Sequence, residues 1–149
     1  MTDLLASLDG ARSALVSACG RYRYRLSRPL PHAAGAPSRM VAWIMLNPST
    51  ADAMADDPTI RRVMGFSARW GFTRLAVVNL YAFRSTQPEA LWSCPDPIGP
   101  ENGRWISHVL ADADAMVCAW GAHAKPERVR VVTAAILGAG HRPQCLGLT

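Results

Sequence analysis

Lysine is nearly absent from this 149-residue chain: Lys125 is the only one, and arginine supplies the rest of the 16 cationic side chains. Cysteine is sparse, at positions 19, 94, 118 and 145, and no C-x-x-C pair occurs, so spacing indicates neither a zinc ribbon nor a cluster site. No apolar run approaches the roughly 20 residues that a membrane helix needs, and no membrane partner is expected. The opening stretch, MTDLLASLDGARSALVSACG, has no basic region ahead of its apolar residues. It therefore does not read as a secretory signal, and a cytoplasmic location is expected. G-x-x-x-x-G-K-[ST], G-x-G-x-x-G and G-x-S-x-G are all missing, which argues against a P-loop enzyme, a dinucleotide dehydrogenase and an α/β-hydrolase. Neither a cofactor nor a metal is expected.

What is present suits a single domain with a real core: half of the residues are hydrophobic and 18% are charged. The net charge is +5, from 16 cations against 11 acids. Arginine grips phosphate in a planar, bidentate way, so the bias is compatible with nucleotides or nucleic acid. A GC-rich coding sequence explains the same bias more simply. Cys118 and Cys145 lie in apolar runs and read as small core residues.

Along the chain, residues 3–18 read as an amphipathic helix. RYRYRLSRPL (21–30) alternates Arg and Tyr, which suits a strand with one cationic and one aromatic face. RMVAWIML (39–46) reads as a continuous apolar strand of the kind buried on both sides of a parallel sheet. Residues 56–71 read as a helix capped by Asp56 or Asp57, with Pro58 in its first turn and Gly71 as terminator. Strands are expected at 74–83, 115–121 and 143–149. Helices are expected within 99–114 and over 125–140, with a short one around Pro88–Trp92. Alternating strands and helices predict one α/β domain, a three-layer α/β/α sandwich around a mainly parallel sheet of about four strands. Ligands of such sheets bind beyond the carboxyl ends of the strands. That rim would gather NPSTAD, NLYAFRST and WGAHAK, with a further loop past Leu148.

Asn47, Pro48, Ser49 and Thr50 offer an amide, two hydroxyls and a proline-fixed loop that could hold a water or read a base edge; ordinary loop chemistry accounts for them equally well. Asp52, Asp56 and Asp57 could supply a general base or bind a metal through carboxylate oxygens, though capping is the simpler role for Asp56 and Asp57. Asn79 stands out because LAVVNLYAF has little use for an amide, and burying one unpaired costs about 1–3 kcal/mol. Arg84, with Ser85 and Thr86, could hold an anion. Gly121 ends a strand two residues before His123, which could donate a hydrogen bond or simply be solvated. Tyr81 could stack a base, with core packing as its plainer use.

The succession MLNPSTAD, DDPTIRR, WGF, VVNLYAFRSTQP, DPIGPEN and WGAHA resembles domain-of-unknown-function family 1643, from about Arg21 to the C-terminus. More remotely, the motif order is similar to the uracil-DNA glycosylase superfamily. That likeness implies a parallel sheet flanked by helices, Asn47 positioning an attacking water and Asn79 near the base edge. AWGAHA (119–124) resembles that superfamily's third-strand end. The likeness also implies a histidine-proline segment beyond Thr149, hence a chain cut short, and a stacking ring between Asn47 and Phe66 that this sequence lacks. It implies a nucleobase, nucleotide or nucleic acid as partner. The activity implied is hydrolysis of an N-glycosidic bond, with Asp52 or Asp57 assisting Asn47. The alternative is a module that binds such ligands without chemistry.

Overall fold

The structure, a computed structural model, describes residues 12–147. Met40–Met45 forms strand β3 and Arg74–Asn79 forms β4, both apolar runs without a solvent-facing side. They pair in parallel, and β3 also pairs in parallel with β5, Ala115–Ala119. A two-residue strand β6, Gln144–Cys145, adds in parallel to β5. On the other side, β2 (Arg23–Pro29) pairs antiparallel with β4, and β1 (Ser13–Val16) pairs antiparallel with β2. The result is one mixed sheet of six strands in the order β1-β2-β4-β3-β5-β6.

This differs from a mainly parallel sheet of about four strands. Of the two strands beyond those four, β2 falls where RYRYRLSRPL suited a strand, and β1 lies where a helix over 3–18 was expected; both pairings they make are antiparallel. Residues 13–16 of that span are strand; residues 3–11 lie outside the described residues. Ser-Ala-Leu-Val carries no strong preference for either structure, and its ladder with β2 decides the outcome, a tertiary contact overriding local propensity.

Helices cover both faces. Helix α1, Pro58–Arg69, has Asp57 as its cap: a side-chain oxygen accepts the Ile60 N–H, and Pro58 sits where no N–H is needed. Gly71, with φ of +88°, lets the chain leave the helix. Ile60 and Val63 pack with Val41, Trp43, Leu75, Val77 and Val117 on one face of the sheet. Trp43 is fully buried there, and its indole N–H donates to Ser67 Oγ at 2.9 Å. Helix α2, Asn102–Asp112, and helix α3, Pro126–Gly138, cover the other face. Their Ile106, Val109, Leu110, Val132 and Ile136 meet Met40, Ala42, Ile44, Ala76, Val78 and Met116. Alternate residues of β3, β4 and β5 thus serve two separate cores, which explains why those strands read as unbroken apolar runs.

β4 ends at Asn79, short of the expected 83. The amides of Leu80 and Tyr81 still bond to the Met45 and Leu46 carbonyls, but those of Ala82 and Phe83 turn to the Ile98 and Pro97 carbonyls. The DPIG segment is therefore a structural partner of the β4 exit. Gly99, at φ +91°, closes it, its N–H bonded to Asp96 Oδ1.

Candidate functional site

The chain reverses direction over the sheet at β3. It leaves β3 through α1 toward β4 on one face, and leaves the neighbouring β5 through α3 toward β6 on the other. The carboxyl ends of β3 and β5 therefore flank a topological switch point, where open α/β sheets bind ligands. Asn47 follows β3 there, and Gly121 and His123 follow β5.

Asn47 is half-buried and its amide N–H groups face three carbonyls: Ser85 at 2.9 Å, Pro48 at 3.1 Å and Phe83 at 3.4 Å. The Ser85 N–H returns a bond to the Pro48 carbonyl at 2.9 Å. The loops after β3 and β4 are thereby tied to each other. Pro48 is buried, Ser49 half-buried and Thr50 exposed.

Asp52 bends the following loop upon itself, one side-chain oxygen accepting the Met54 and Ala55 N–H groups at 2.8 and 2.9 Å. Those backbone bonds hold its carboxyl below the usual range, with Arg84 and Arg28 adding to the effect. Asp57 is occupied as the α1 cap and also accepts the Ala51 N–H at 3.4 Å. Arg84 is half-buried on the β4 exit loop and lines a shallow cleft with Phe83, Arg21 and Cys94. Tyr81 is buried; its hydroxyl accepts the Lys125 N–H at 3.2 Å, on the α3 side of the sheet. Gly121 and His123 are exposed, Gly121 with φ of +74°. The structure thus brings Asn47, Pro48, Asp52, Asp57 and Arg84 to the α1 side of the rim, while Tyr81 belongs to the opposite side.

Asn79 is 1% exposed, and both atoms of its amide are buried without a hydrogen-bond partner among the described residues. Alternation from Val77, and its register with Met45, direct the side chain to the α1 face. On that same face lies a residue that pattern reading missed, Arg23. It is 2% exposed, donates one N–H to the Ala51 carbonyl at 2.9 Å, and leaves Nε unpartnered. Burial lowers its pKa to about 10; Asp57 opposes this and Arg84 and Arg28 reinforce it. Arg28, equally buried, clamps the loop beside it: Nε meets Asp56 Oδ1 at 2.8 Å, and Nη2 donates to the Asp52 and Ala55 carbonyls. Alternation had suggested a cationic face for this strand, yet Arg23, Arg25 and Arg28 are all buried. Only long-range contacts reveal that.

Asn102 was also missed. It is buried in the first turn of α2 and donates to the Asn79 and Leu80 carbonyls at 2.9 and 3.2 Å. Its spacing before Ile106 and Val109, i, i+4 and i+7, was the available signal that it faces inward.

Among the described residues no three His, Cys, Asp or Glu side chains gather closely enough to hold a metal ion. The four cysteines are free thiols, and burial raises that of Cys118 to about 11. No described helix is long and apolar enough to cross a membrane.

Neither the curated proteins nor the solved structures yield a match to this chain. Residues 23–149 match the family model described as "Protein of unknown function (DUF1643)", so β2 and everything after it, with Arg23, Asn47 and Asn79, lie inside the matched region, and the chain belongs to that family.

Proposed function

We propose that this chain binds a nucleobase-containing ligand, as a free nucleotide or within a nucleic-acid strand, at the carboxyl edge of its sheet. The observation that carries the reading is the Asn79 amide, fully buried with neither Nδ2 nor Oδ1 satisfied. Each such group costs about 1–3 kcal/mol, a cost a ligand would offset. An amide presents one donor edge beside one acceptor edge, and its natural complement is another amide-like edge, such as that of a pyrimidine base. Arg23 on the same face, with Nε unpartnered and no ion pair to a carboxylate among the described residues, supplies a donor for a carbonyl or anionic oxygen. Both groups are buried, so binding requires the rim over them to open, and on the Arg23 side that means release of the Ala51 carbonyl. The helix-covered parallel strands support the finer reading of a three-layer α/β/α sandwich like that of the uracil-DNA glycosylases, with β1 and β2 as additions at one edge.

Binding without chemistry is the version best supported. Asp57 is committed to capping, Asp52 to its turn, and the Asn47 N–H groups to carbonyls. Hydrolysis of an N-glycosidic bond is the second reading. It would use what remains: Asn47 Oδ1 to orient a water and the outer oxygen of Asp52 to accept its proton.

The test is calorimetric titration of the chain with uracil, uridine 5′-monophosphate and a short uracil-containing single strand, at low and high salt. Saturable binding by at least one, lost in both Asn79→Leu and Arg23→Met, supports the proposal. No saturable binding by any of them sinks it. Chromatography of the strand after incubation separates the two versions, because released uracil would require the hydrolytic one.

A further inference from the structure

A second cleft, of about 400 Å³, opens on the opposite face of the sheet, where β4 leaves toward the 3-10 turn Pro88–Ser93 and α3 begins. Its walls are mostly apolar, with Leu91, Ile98 and Val131 around an aromatic corner. Trp92 stands edge-on to Tyr81, with ring centroids 5.3 Å apart at 86°, and keeps 38% of its surface exposed. Two cations meet at this corner. Lys125 Nζ lies 4.4 Å from the centre of the Trp92 ring. Arg128 donates Nε–H to the Leu80 carbonyl at 2.8 Å, which fixes its guanidinium, while Nη2 is buried without a partner among the described residues. Burial lowers the Arg128 pKa. Neither cation is ion-paired to a carboxylate among the described residues, although Glu127 also lines the cleft.

We propose that this cleft is a binding site for a small aromatic carboxylate. The flat ring would lie among Leu91, Trp92 and Val131, and the carboxylate would meet Arg128 and Lys125. Three features select this class. The volume suits a compact ligand rather than a polymer segment. The apolar walls with an aromatic edge favour a planar body. With Nε held by the Leu80 carbonyl, the Nη1 and Nη2 edge of the guanidinium is left to match a carboxylate's two oxygens, with Lys125 adding a point charge to leave the corner net positive against Glu127. The site is independent of Asn79 and Arg23, which face the other side of the sheet.

The experiment titrates naphthalene-2-carboxylate into the intact chain, following indole resonances by NMR. Naphthalene-2-carboxamide and inorganic phosphate serve as comparison probes. Saturable carboxylate binding that shifts the Trp92 indole is expected, with affinity reduced about tenfold for the carboxamide, the scale of one charge-assisted contact. Lys125→Gln should weaken it by a similar factor. Val131→Glu, at a position 59% exposed and so tolerant of charge, should abolish it, whereas Arg23→Met should leave it intact. Equal affinity for the carboxamide, displacement by phosphate at similar concentration, or no saturable shift of Trp92 would each overturn the proposal.

Discussion

Asn47 Nδ2 donates to the Ser85 carbonyl across 2.9 Å, joining the exit of β3 to the exit of β4 through one side chain. Asn47→Ala removes that donor from three carbonyls and should lower stability by about 1–3 kcal/mol. Asn47→Asp should cost more at neutral pH, because a carboxylate would then face carbonyl oxygens. Lowering the pH protonates the new carboxyl and restores one donor, so part of the loss should return. Urea denaturation of both variants at two pH values checks this; an aspartate variant as stable as the parent at neutral pH would contradict it.

Asn79 makes the opposite prediction. Leucine has nearly the same shape and no polar atom to leave unsatisfied, so Asn79→Leu should stabilise the fold by about 1–3 kcal/mol. Ligand binding should disappear in the same variant. A destabilised Asn79→Leu protein would mean that the amide has a structural partner after all.

The Arg28–Asp56 contact contributes to the acid limb. Burial alone would raise the Asp56 carboxyl, but hydrogen bonds from Arg28 and Arg12 outweigh it and leave the pKa lowered. The folded chain therefore binds this proton more weakly than the unfolded chain. The stability it contributes is present above the ordinary carboxylate value of about 4 and is lost as pH falls through the folded value. Asp56→Asn should cost about 1.5–3 kcal/mol at neutral pH, the range for a bond to a charged group, and should flatten the dependence below about pH 4. Denaturation midpoints across that range provide the measurement.

At Gly99 a Cβ would sit 3.0 Å from the Tyr22 ring and 3.1 Å from the Tyr24 ring, on a backbone with φ of +91°. Gly99→Ala should cost about 1–3 kcal/mol from strain and overpacking together. Near-ultraviolet circular dichroism should change as well, since Tyr22 and Tyr24 stack at 6.0 Å. An unchanged melting temperature would show that the loop relaxes freely.

Some of this molecule was readable before folding. The run MVAWIM announced a strand buried on both sides, because each alternate residue feeds a different core. Pro58 and Gly71 marked α1 because proline and glycine act through their own backbones. β1 was not readable, since its state depends on a partner strand rather than on its own residues. Arg23 and Arg28 of β2 misled for a related reason: charge normally faces water, and both are buried against carbonyls of the 51–55 segment, far away in sequence. At the rim, the position of Asn47 was legible from the strand before it. Its role as a tie was not, because Ser85 lies on another loop.

The grip of Arg23 and Arg28 on residues 51–56 also bears on the order of assembly. Strands β3 and β4 pair across 34 positions of sequence, but the loop after β3 acquires its clamp only once β2 has docked along β4, across 45 to 51 positions. Closing that long-range contact is entropically slow. The loop should therefore be among the last parts to gain protection during refolding. Pulsed hydrogen exchange would find the Met54 and Ala55 amides protected after those of β3 and β4. The N-terminal strands would then act as an internal template that sets the rim into its final shape.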